Sequence, residues 1–377
     1  MKLRSLVLLA ALGFGLTACN NDGDDLFKYE ESKSVTISLA NVLPQSKGTG
    51  TQIQNETKVA LNDYYVVFTD GTNLYGGYDL TPEGGKTEAA KYYEAAGNMS
   101  KTFHFVNGAA NQAIVIGNVG GVEGALKKQL DGCSTLAALK ALVCQMSEEQ
   151  DEKDLTLYGT GNFVKKGSAD DEQHTNVYTA AINVKPLIAR IEVTGFKYAK
   201  VDPQTDAKYS KILLNKIAID KYYPAVQLDG TYSGELSFYD VPATGNSQNF
   251  FESLTPGWTN DAFTGVVELE PDQPKLAGAI LGEGKDAYVY HVAAGATIPY
   301  ILLQMQGVPA AGGDNVPLHI VAKGLLKEST SVNELEAGKV YRLSFEFNDN
   351  NLEQPAKCVE VTVTIADWVV EVVTPQF

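Results

Sequence analysis

The sequence predicts a mainly β protein: two antiparallel β-sandwich domains, with a short helical insertion in the N-terminal one. Two observations carry this. Short runs rich in Val, Ile, Tyr and Phe recur along the chain, separated by clusters of Gly, Asn, Asp and Pro. Only one stretch, Gly124 to Met146, has helical spacing, with Leu136, Leu139, Leu142 and Val143 on one stripe. At 377 residues the chain has room for two domains of ordinary size, and 44% hydrophobic residues is a globular rather than a disordered composition.

Lys2 and Arg4 precede the apolar run Leu6 to Leu16, which is too short to span a bilayer, and Leu16-Thr17-Ala18-Cys19 follows. That is the order of a signal peptide, residues 1–18, ending in a lipobox, and it makes Cys19 the lipidated N-terminus. An ordinary signal peptide that happens to end near a cysteine is the alternative. Asn20-Asn21-Asp22-Gly23-Asp24-Asp25 comes next. The formal net charge is −16, and loss of Lys2 and Arg4 makes it more negative still. Such a surface repels nucleic acid, whose binding needs basic patches, so no nucleic-acid partner is expected.

SVTISLA begins as a strand with Val35, Ile37 and Leu39 on one face, then gives way to a loop of Pro, Gln, Ser, Lys and Gly around Lys47 and Gly48. YYVVF (64–68), FHFV (103–106) and AIVIGNV (113–119) continue the N-terminal domain, placed at 48–183. The charged loop KKGSADDEQHTN (165–176) leads to the C-terminal domain, 184–377, with ARIEVTGF, ILLNKIAI, AYVYHV, IPYILLQMQ, LHIVAKG, VYRLSFEF and VEVTVTI as its strands. In the last of these Val359, Val361, Val363 and Ile365 alternate on odd positions, but Trp368, Val370 and Val372 continue the apolar face on even ones. A bulge or a change of sheet around Ala366-Asp367 would shift the register in this way.

The chain has four cysteines, and Cys19 is taken by the lipobox. A continuous helix between Cys133 and Cys144 would hold them about 16 Å apart, too far for a bridge. With Cys358 they read as free thiols.

Candidate chemistry is sparse. Gly117, Gly120, Gly121 and Gly124 between a strand and a helix match neither dinucleotide nor P-loop spacing, so they read as a relaxed strand-to-helix connection. His104, His174, His291 and His319 sit apart, without metal-ligand spacing. The runs DDEQ (170–173) and NDNN (348–351) offer oxygen ligands but lack the alternation of a calcium loop and read as solvated turns. No catalytic constellation, cofactor site or metal site is expected, and the chain does not read as an enzyme.

Four segments in order carry a resemblance: the lipobox with its acidic tail, VTISLA followed by a basic residue, PLIARIEVTGF, and LEAGKVYRLSFEF with VEVTVTIADWVVEVV. Together they resemble the fimbrillins of the Bacteroidia, the type V pilins. The resemblance implies two transthyretin-like β-sandwich domains, export as an outer-membrane lipoprotein to the cell surface, and cleavage by a surface trypsin-like protease after a basic residue beyond the first strand. It implies partners that are further copies of the chain and related fimbrial subunits, adhesion as the outcome, and no cofactor. The pro-segment would be residues 19–47, the excised strand would carry Val35, Ile37 and Leu39, and the cut would fall between Lys47 and Gly48. The donor strand would be 359–373, presenting Val359, Val361, Val363, Ile365, Trp368, Val370 and Val372. Removing a strand exposes unpaired backbone groups and an apolar slot, an edge that any suitable strand can fill.

The chain departs from that pattern in one respect. Arg190 and Arg342 are its only arginines after the signal peptide, and neither is near the first strand. A lysine-tolerant protease would act at Lys47 or at Lys58, or the chain stays uncut as an anchored terminal subunit or adhesin. Arg190, within ARIEV, also reads as a partner for an acid on a neighbouring strand. The competing function is a monomeric, lipid-anchored surface lipoprotein that binds host ligand or glycan, with Trp258, Tyr222 and Tyr223 as candidate platforms.

Overall fold

Alternating apolar residues pair into sheets over most of the chain in a computed structural model. It describes residues 32–40, 42–43, 58–79, 93–97, 100–120, 124–166, 176–239, 250–252, 254, 257–282, 285–353 and 359–372. Cys19, Lys47, Gly48 and Cys358 lie outside the described residues.

Two five-stranded sheets enclose the first core. One runs in the order Val164–Lys165, Val177–Ile182, Lys33–Leu39, Ser100–Val106, Tyr93–Gly97. The other runs Lys185–Pro186, Leu157–Asn162, Gln112–Gly117, Tyr64–Thr69, Leu74–Asp79. Phe68 on the second sheet meets Phe103 on the first edge to face, with ring centroids 5.4 Å apart. Gly117 leaves room for Leu61 and Leu157, since a Cβ there would lie 2.7 Å from Leu61 Cδ1 and 3.0 Å from Leu157 Cβ.

The second core lies within a ten-stranded arrangement built from the chain beyond Ile188. Phe196 anchors it, stacked on Phe345 and edge to face with Phe263, with centroid distances of 6.2 and 5.4 Å. The first core draws on residues up to Ile188 and on Val226, Leu228, Ala293, Val340 and Trp368 from the later chain. The described residues form one compact unit. The protein is thus mainly β, with sandwich packing.

The helical insertion differs from the reading above. Ala125–Asp131 and Leu136–Lys140 are two short helices, and Val143–Gln145 is a strand paired with Ala225–Gln227. Gly132 ends the first helix, and Thr135 caps the second by accepting a hydrogen bond from the Ala138 amide at 3.2 Å. The leucine stripe therefore stops at Leu139, and no continuous helix joins Cys133 to Cys144. Both thiols are free; Cys144 is buried, and burial, with Glu149 beside it, pushes its thiol up to about 12. Among the described residues no helix is long and apolar enough to cross a membrane.

Candidate functional site

Two segments define the site: the first strand and the last. Val35, Ile37 and Leu39 face inward from Lys33–Leu39 at 0%, 4% and 7% exposure, so the strand is part of the core and not a cover over it. One neighbour, Val177–Ile182, runs parallel to it from Ser34↔Val177 to Leu39↔Ile182. The other, Ser100–Val106, runs antiparallel, with Val35 opposite Phe103 and Thr36 opposite Thr102. Burying three such side chains contributes roughly 5 to 9 kcal/mol before ordering costs, at about 1.5 to 3 each.

The other face of this strand is polar and matched. Thr36 Oγ1 and Thr102 Oγ1 are 2.8 Å apart, and Ser34 Oγ lies 3.0 Å from His104 Nδ1. At the start of the strand, in phase with Val35 rather than with Ser34, Lys33 donates to the Ala110 carbonyl at 2.7 Å and sits 5.1 Å from the centroid of the Tyr178 ring. Across from Ser34 the partner strand bulges, placing Phe105 at a φ of 60° with 74% of its surface exposed. The first strand thus occupies a slot whose two walls are both strands.

The last strand crosses three sheets in fourteen residues. Val359–Thr362 pairs in parallel with Ala322–Leu326, and Val363–Asp367 pairs antiparallel with Lys339–Leu343. Val361 and Val363 are buried in the second core, and Ile365 packs against it. The chain then changes sheet at Trp368, as the shift from odd to even apolar positions anticipates. Trp368 is buried in the first core. Val369–Val372 forms the centre of a three-stranded sheet, between Val42–Leu43 and Lys58–Leu61.

Trp368 rests on a charged cluster at this crossing. The Arg190 guanidinium lies 5.6 Å from the centroid of its ring, and the His291 ring is 5.1 Å away. Arg190 donates to Glu192 on its own strand and to Glu152, both at 2.7 Å, while Arg342 holds the second oxygen of Glu192. The partners are thus a residue two positions on along the same strand and one in a turn, not an acid on a neighbouring strand. His291 Nδ1 is 2.8 Å from the Glu149 carbonyl, which can only accept, so the proton sits on Nδ1 and Nε2 faces Arg190. Burial, reinforced by Arg190, lowers the His291 pKa to about 3.

The remaining candidates also make contacts within the fold. Trp258 meets Tyr222 edge to face at 4.8 Å, and Tyr223 stacks on Tyr232 at 4.2 Å, so these rings are used within the structure. Asp349 of the 348–351 run accepts from the Tyr198 hydroxyl and the Lys208 amide. Sequence reasoning missed the pairing of Val42–Leu43 with the last strand; a two-residue strand carries no periodicity to reveal it.

No protein-family profile matches the sequence, and no curated protein is similar to it. Solved structures are similar. A protein assigned to cell adhesion from Parabacteroides distasonis matches over 92% of this chain and 98% of its own, at 14% identity and a TM-score of 0.55. Another protein assigned to cell adhesion, from Bacteroides eggerthii, matches over 91% and 98%, at 16% identity and a TM-score of 0.50. A fimbrilin from Porphyromonas gingivalis matches over 91% and 99%, at 12% identity and a TM-score of 0.48. At such identities the first two likenesses are of fold alone.

Proposed function

We propose that this chain, which has a fimbrillin-type fold, is a structural subunit of a cell-surface fimbria that polymerises by strand exchange and supports adhesion. The observation that carries the reading is the placement of Lys33–Leu39 as an interior strand. Taking it out opens a slot walled by Ser100–Val106 and Val177–Ile182, lined by Phe103, Ala180 and Ile182, and bordered by two rows of unpaired backbone groups. Residues 361–365, VTVTI, repeat the apolar-polar alternation of 35–39, VTISL, so a donor entering in that register puts Val361, Val363 and Ile365 where Val35, Ile37 and Leu39 sat. Thr362 then takes the place of Thr36 opposite Thr102.

In this reading Cys19 carries the lipid that brings the precursor to the outer membrane. A trypsin-like surface protease cuts between Lys47 and Gly48, the pro-segment leaves, and residues 359–373 of another copy or a related subunit fill the slot. Arg190 and Arg342 both bind Glu192 far from the first strand in sequence, so an arginine-specific protease finds no site beside it. Surface material extracted and run on a gel without boiling tests the reading. A ladder of species supports it, and a single monomer band refutes it.

A further inference from the structure

Among the described residues of 359–372, Val370 and Glu371 alone have ladder partners on both sides. Val359–Thr362 is paired only with Ala322–Leu326, and Val363–Asp367 only with Lys339–Leu343. In the terminal section, Val369 to Val372 lie beside Lys58 to Leu61, while Val42 and Leu43 cover the opposite edge at Val370 and Glu371. The two flanking strands come from either side of residues 44–57. Any cut within 44–57 therefore leaves Lys58–Leu61 with the body of the protein and Val42–Leu43 with the segment that also carries Lys33–Leu39.

We propose that the pro-segment restrains donor and acceptor together: Val35 to Leu39 fill the slot, and Val42–Leu43 is the removable side of a clasp on the terminal strand. This rests on the strand-exchange reading and adds its regulation. Before the cut, the slot is occupied and the terminal strand is hydrogen-bonded on both edges. After loss of the pro-segment, the slot is empty and every part of 359–372 is held from one side only. A strand paired on one side presents its other row of N–H and C=O groups for pairing with a new chain. One cleavage thus readies both halves of the joint, and an uncut subunit is poor both as acceptor and as donor.

The test uses hydrogen exchange read by mass spectrometry on the chain without its signal peptide, dilute enough to stay monomeric. In the uncut protein, Val42→Pro with Leu43→Pro breaks up the short strand beside Val370 and Glu371 and leaves the first strand in place. Exchange across 369–372 should rise at least tenfold, while 100–106 and 177–182 keep their wild-type rates. A protease site placed within 44–57, cut and followed by gel filtration, should speed exchange in all three segments. Wild-type protection of 369–372 in the proline variant overturns the clasp, whatever the cut does. The two ideas fail separately. Faster exchange without a ladder on the unboiled gel refutes strand exchange and leaves the clasp standing; a ladder with unchanged exchange in the proline variant does the reverse.

Discussion

Ile37→Ala weakens the resident strand without touching the walls of its slot. Ile37 is 4% exposed, between Val35 and Leu39 on the inward face. Truncating a buried isoleucine to alanine costs about 2 to 5 kcal/mol. At about 1.4 kcal/mol per tenfold, the preference of the slot for its own strand over a competitor drops by roughly 30-fold to several thousand-fold. In the uncut wild type that preference is large, because a strand on a short tether competes at an effective concentration in the millimolar range. A fluorescently labelled peptide of residues 359–373, titrated into the uncut chain and followed by anisotropy, reads the change directly. The variant should bind it at least about 30-fold more tightly than wild type. If hydrogen exchange shows that 33–39 has loosened while the peptide affinity is unchanged, the slot is not an acceptor for that sequence.

Deleting residues 369–377, the part of the donor segment beyond Trp368, should weaken the ladder on an unboiled gel while leaving Val361, Val363 and Ile365 in place and Phe196 and Phe345 packed in the second core; a ladder of wild-type strength would show that this part takes no share in the joint. Val363→Asp is a poorer test, since Val363 is 3% exposed in the chain's own second core and an unpaired carboxylate there damages folding as well as assembly. Acid should destabilise the protein through His291. The unfolded chain binds a proton there near pH 6.5 and the folded chain only near 3, so stability is fully present above about 6.5 and falls as pH drops toward 3. The slope is at most about 1.4 kcal/mol per pH unit, partly opposed by Glu149, whose carboxyl is raised by burial. Urea unfolding of His291→Gln between pH 7 and 4 should show a flatter acid limb, and an unchanged slope would remove His291 from the account.

The two ends of the site were legible in the sequence for a simple reason. A strand with one buried face must alternate with period two, so Val35, Ile37 and Leu39 announce themselves. A change from odd to even positions likewise announces that the chain changes the surface it faces, which happens at Trp368. The pair Arg190 and Glu192 was readable in principle, since positions two apart on a strand share a face. Their contacts with Glu152 and Arg342, and the approach of His291, depend on tertiary folding that no local pattern encodes. The helical insertion misled because the leucine stripe outweighed Gly132 and Thr135, which mark an end and a start. Val42–Leu43 gave no signal at all, being two residues long and paired with the far end of the chain.

In the strand-exchange reading, the first strand leaves before the subunit enters a polymer. N-terminal sequencing of subunits from purified surface fimbriae tests it most directly. Mature chains should begin at Gly48, without Lys33–Leu39 or Val42–Leu43. Fimbrial subunits that still carry residues 19 to 47 would contradict it and make the first strand a permanent part of the sandwich.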